Sequence, residues 1–130
     1  MKYAYTILYV DDVEKTISFY ENAFGFQKKF ITPEHDYGEL ISGETTIAFA
    51  SNVLGQSNFE KGFQTLDATK KPNGVEMAFT TETIEVDFKK AIDAGAIEYE
   101  PIVEKSWVQK VGYLRDLNGF LIEICTPIKS

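Results

Sequence analysis

A chain of 130 residues, 44% of them hydrophobic and 25% charged, suits one globular domain and excludes a disordered one. Thirteen basic residues against twenty acidic ones leave a net charge of −7, which repels phosphate backbones and argues against nucleic-acid binding. No apolar run is long enough to span a bilayer, and MKYAYTILYVDD has no basic stretch leading into an apolar core. Cys125 is the lone cysteine, so a cytoplasmic protein without disulfides and without a membrane partner is expected.

In chain order, Tyr3 to Val10 is rich in Tyr, Ile and Val and predicts a strand. Asp11 opens a helix, with Glu14 as its capping-box partner and Val13, Ile17, Tyr20 and Phe24 on one face. Gly25 ends it. Residues 26–31, 37–41 and 45–50 predict three further strands, separated by a loop around Pro33 and a turn at Gly43. From residue 51 to 73 the periodicity fades, yet Phe59, Phe63 and Leu66 remain. Such a stretch folds over something, either the edge of the core or a ligand for which it serves as a lid.

The order then starts again. Residues 74–80 predict a strand, and Thr81 or Thr83 caps a helix whose buried face is Ile84, Phe88, Ala91 and Ile92, ending at Gly95. Residues 96–100 form a strand closed by Pro101. Residues 107–115 and 120–126 form a hairpin around Asp116-Leu117-Asn118-Gly119, where Asn-Gly is the turn signal.

A shift of 71 positions lays Val13 on Ile84, Ile17 on Phe88 and Tyr20 on Ala91, while a shift of 75 lays Ile47 on Ile122 and Ala48 on Glu123. An insertion of about four residues in the second half's middle strands reconciles the two shifts. The expected fold class is α+β: two tandem βαβββ modules forming a curved mixed sheet around a trough. Module 1 spans about 1–52, a linker or lid loop about 53–72, and module 2 about 73–130.

Asp116, Asn118, Gly119 and Glu123 keep the frame of a closing hairpin, with Leu117 where proline is usual. Tyr-Val-Asp-Asp-Val-Glu-Lys-Thr-Ile-Ser-Phe-Tyr at 9–20 and Asn-Gly-Val-Glu-Met-Ala-Phe at 73–79 look like two module openings. On these segments the chain resembles the vicinal oxygen chelate superfamily, the group of glyoxalases, bleomycin-resistance proteins and extradiol dioxygenases. The resemblance covers nearly the whole chain and is specific for fold rather than for function. It implies that metal-binding members draw ligands from positions corresponding to Tyr5, Ala48, Glu76 and Glu123, usually with histidine at the first and third. This chain offers one phenol, one methyl group and two carboxylates there.

Borderline metals such as zinc, nickel and iron favour imidazole, and non-haem iron oxygenases need two histidines. The chain has one, His35, in the loop Thr-Pro-Glu-His-Asp-Tyr. Iron-dependent ring cleavage is therefore not expected, and no cofactor is assigned. Glu76 and Glu123 can at most hold a hard divalent ion weakly. The resemblance gives Tyr113 a ligand contact, and Tyr5, Tyr37 and Trp107 can supply aromatic walls. Arg115 is expected to pair with Asp116 or Glu123, and Cys125 has no basic neighbour to activate it.

The leading expectation is a protein that binds a small organic ligand without metal or turnover and works as a homodimer. Two alternatives stay open. One is a lyase or isomerase of the glyoxalase type using a weakly held divalent ion at Glu76 and Glu123. The other is a non-catalytic interaction domain.

Overall fold

A computed structural model describes residues 1–128 and resolves into two compact units, residues 1–66 and residues 67 onward. The first contains β1 (Thr6–Val10), α1 (Val13–Phe24), β2 (Gln27–Ile31), β3 (Tyr37–Ser42), β4 (Thr45–Ser51) and a short helix α2 (Asn52–Asn58). The second contains β5 (Glu76–Thr80), α3 (Ile84–Asp93), β6 (Ile97–Glu104), β7 (Lys110–Arg115) and β8 (Leu121–Cys125). Each forms a four-stranded mixed sheet, ordered β1-β4-β3-β2 and β5-β8-β7-β6. The first and last strands of each unit run parallel, and the other pairs run antiparallel. The fold is α+β, with the βαβββ order present twice.

One face of each sheet is buried by its helix. In the first unit, Val13, Ile17 and Tyr20 meet Leu40, Ile47 and Phe49 from the sheet, and the Tyr20 and Phe49 rings lie 5.0 Å apart. In the second, Ile84, Phe88 and Ala91 bury with Leu114, Ile122 and Ile124. A glycine at the same place in each third strand lets the helix approach. A Cβ on Gly38 would lie 2.4 Å from Ile17 Cδ1, and one on Gly112 would lie 2.7 Å from Phe88 Cε2.

Several boundaries differ from the sequence expectation for local reasons. Asp12, not Asp11, caps α1, accepting from the Lys15 N–H at 2.9 Å, while Asp11 accepts from Asn52 Nδ2. Thr83 occupies the cap position of α3 without a capping bond. The Thr81 and Thr83 hydroxyls donate instead to Asp87 Oδ2, which becomes the shared acceptor. β6 runs through Pro101 with register shifts on both sides, so it is an edge strand that tolerates proline. The extra residues of the second half lie in this strand and the turn after it: Gln27 pairs with Ile41, and Ile97 pairs with Arg115.

The segment from 53 to 72 is not all loop. Its first part continues α2, capped by Ser51 Oγ accepting from Leu54 N. Phe59 and Phe63 then pack on Tyr9, with ring centroids at 6.2 and 4.7 Å. A Cβ on Gly55 would lie 2.6 Å from the Tyr9 ring, so only glycine fits there. These aromatics cover part of the first sheet on the side away from α1.

Candidate functional site

Strand alternation assigns every residue of a sheet to the helix side or to the opposite, helix-free side. In the second unit, Tyr113 pairs directly with Glu123, Ala78 with Glu123, and Glu76 with Leu121. Glu76, Ala78, Tyr113 and Glu123 therefore share the helix-free face, with the two carboxylates diagonal to each other across β5 and β8. The small Ala78 side chain, opposite Glu123, leaves room between them.

The Tyr113 hydroxyl donates to Glu123 Oε1 at 3.1 Å. Burial first, then this bond, pushes the Tyr113 phenol up to about 12, so it stays protonated and orients the carboxylate. Glu76 is raised above the ordinary carboxylate range by burial and by the neighbouring charge and hydrogen bond of Glu123. Cys125 shares the face, but burial and Glu123 push its thiol up, which removes thiolate character.

The first unit carries a different set at matching places. Glu39 pairs with Ala48 on β4, as Tyr113 pairs with Glu123 on β8. Glu39 is thus the register counterpart of Tyr113, and Ala48 that of Glu123. Glu39 is buried, and its Oε2 accepts from the Tyr37 hydroxyl at 2.6 Å, while Lys29 Nζ lies 3.6 Å from its Oε1. Tyr37 is raised by burial and by its bonds to Glu39 and Tyr5. The structure thus joins Tyr5 and Tyr37 in one cluster and Glu76, Tyr113 and Glu123 in another.

Trp107 belongs to neither. It precedes β7, in a turn where Val108 has φ 61°, and its indole N–H donates to Gln109 Oε1 at 2.6 Å. β-propensity alone extended that strand too far. Arg115 also departs from expectation. Rather than a carboxylate, it takes backbone carbonyls, with Nε donating to Gly119 O at 2.9 Å and its remaining nitrogens reaching Ala68 O and Asp67 O. Asp116 is occupied in the turn, accepting from the Asn118 and Phe120 N–H groups. Glu39 escaped the sequence reading, although alternation from Tyr37 places it on the same face.

The donor set does not fit an imidazole-dependent metal. His35 is exposed, with Nδ1 2.9 Å from Glu14 Oε2 of α1. Among the described residues, no three His, Cys, Asp or Glu side chains gather in a metal-holding group. No helix among them is long and apolar enough to cross a membrane.

Comparisons with known proteins agree with this architecture. A glyoxalase-like domain profile matches residues 3–129. The uncharacterized protein YraH of Bacillus subtilis is 25% identical over 125 residues, covering 95% of this chain and 97% of that protein. A glyoxalase/bleomycin resistance protein/dioxygenase family enzyme from Burkholderia phytofirmans superimposes with a TM-score of 0.80 at 20% identity, covering 94% and 95% of the two chains. A glyoxalase-related enzyme from Fulvimarina pelagi gives 0.79 at 18% identity, covering 98% of this chain and 88% of its own. With its doubled βαβββ order and this profile over nearly its full length, the chain belongs to the glyoxalase-like domain family of the vicinal oxygen chelate superfamily.

Proposed function

We propose that this protein binds a small organic molecule on the helix-free side of its sheets, in the manner of bleomycin-resistance members, without a catalytic metal and without turnover. The observation that carries this reading is the group Glu76, Tyr113 and Glu123, in which a protonated phenol holds one carboxylate beside another. Such a group accepts hydrogen bonds from a ligand and favours positive charge. It contains no imidazole base, and the adjacent thiol is held in its unreactive form. Recognition needs only affinity, so it requires neither of the missing parts.

The reading takes the protein as a cytoplasmic homodimer. The exposed apolar Ile7, on the helix-free side of the first sheet, supports association, and light scattering reads the mass directly.

Thermal-shift screening with organic cations and flat aromatics, alongside metal analysis, tests the function. Expected are stabilisation by some organic ligand, of about 2.7 kcal/mol at a hundredfold excess over Kd, and none by divalent ions. Glu123→Gln should abolish the organic response. A divalent ion near one per chain, lost in Glu123→Gln and accompanied by lyase or isomerase turnover, would establish the enzyme instead. No stabilising ligand at all would leave an interaction domain.

A further inference from the structure

The chain contains two Asn-Gly pairs, Asn73-Gly74 and Asn118-Gly119, and the fold treats them in opposite ways. An Asn-Gly pair is open to attack by the glycine nitrogen on the asparagine side-chain carbonyl carbon. Glycine has no side chain to screen that approach, and its backbone is free to make it.

At the closing hairpin the approach is blocked. Gly119 is buried, and its N–H donates to Asp116 O at 3.0 Å. Its carbonyl accepts from Arg115 Nε at 2.9 Å, and the Asn118 N–H donates to Asp116 Oδ1 at 2.8 Å. A Cβ on Gly119 would lie 2.7 Å from Ala68 Cα, so the backbone is packed as well as bonded. Removing the Gly119 proton forfeits its bond, which holds the nitrogen in its unreactive form. Reaction there waits on opening of the whole turn.

Asn73 and Gly74 lie just ahead of β5 and are both exposed. A Cβ on Gly74 would meet nothing within 4 Å, and among the described residues no backbone carbonyl takes its N–H. The Val75 N–H instead donates to Asn73 O at 2.8 Å, closing a three-residue turn. That oxygen belongs to the very peptide whose nitrogen attacks. As the nitrogen gives up its proton, negative charge spreads to Asn73 O, where a donor already stands.

We infer that Asn73-Gly74 is a site of spontaneous deamidation in the folded protein, whereas Asn118-Gly119 is protected by its turn. The Gly74 nitrogen bonds to Asn73 Cγ, the Cγ–Nδ2 bond breaks, and ammonia leaves with the proton that Gly74 lost. Water then opens the resulting cyclic imide. Addition at Cγ gives aspartate, and addition at the main-chain carbonyl carbon gives isoaspartate. Either product makes the chain one charge more negative than its present −7. The isoaspartyl product also adds a methylene to the main chain, just before Glu76 enters its pairing with Leu121. None of this depends on what the helix-free face binds.

The test holds the full chain in warm, neutral buffer and maps its peptides by fragmentation that separates aspartate from isoaspartate. Asn73 should convert at least about tenfold faster than Asn118, with both products present. In urea, where neither turn is held, the two rates should agree within about threefold. Gly74→Ala places a methyl group in open space and so keeps the fold, but it should slow conversion at Asn73 at least about tenfold. Equal rates at the two sites in the native chain would overturn the inference. So would a gap that persists in urea, a rate untouched by Gly74→Ala, or aspartate formed without isoaspartate.

Discussion

Glu76 exposes its environment to a simple titration. Burial and the Glu123 charge raise it, so the native protein holds that proton more tightly than the unfolded chain does. The associated stability is complete below the ordinary carboxylate range and is lost as pH rises through the raised value. Glu76→Gln removes the dependence. Its melting temperature should exceed that of the wild type at neutral pH, with the two converging as the buffer becomes acidic. Parallel curves at all pH values would show that the two carboxylates do not interact.

At this same scale the sequence was informative for most of the candidate side chains that sit on regular strands. Tyr37, Glu76, Tyr113 and Glu123 all occupy positions that alternation fixes. Trp107 lay outside that regularity, where an aromatic in a turn resembles one in a strand. Glu39 was missed because a lone glutamate in an apolar strand does not show that its partners are Tyr37 and Lys29.

Among the elements, the paired glycines explain how each helix seats on its sheet. Gly112 lies under Phe88, and a methyl group there would also meet Ile102 at 3.0 Å. Gly112→Ala should destabilise by about 1–3 kcal/mol through overpacking, measured by denaturant midpoint with the slope unchanged. No loss would mean that α3 moves away at little cost.

Helix positions were legible from apolar spacing, because Val13, Ile17 and Tyr20 have counterparts in Ile84, Phe88 and Ala91. Their caps were not legible. Asp11 and Asp12 are adjacent and chemically equivalent, and only the backbone geometry decides which one accepts from Lys15. α2 was hidden because it is a seven-residue helix containing glycine, anchored by its Ser51 cap and by aromatics further along the chain.

For the molecule as a whole, the doubled order of elements was readable at low residue identity, since two helices and their flanking strands repeat in register. The four-residue discrepancy became a physical feature, the longer edge strand β6. Function was less legible, because the fold supports many activities and only the donor set narrows them. The net charge of −7, with carboxylates gathered on the second sheet, favours cationic ligands, and their binding should weaken as salt increases.

The most direct test is a calorimetric titration of chelator-treated protein with the best organic ligand from the screen, repeated in Glu123→Gln. Binding near one per chain that is unchanged by the chelator and at least about tenfold weaker in the variant is the predicted result. Binding that appears only after a divalent ion is restored would contradict metal-free recognition.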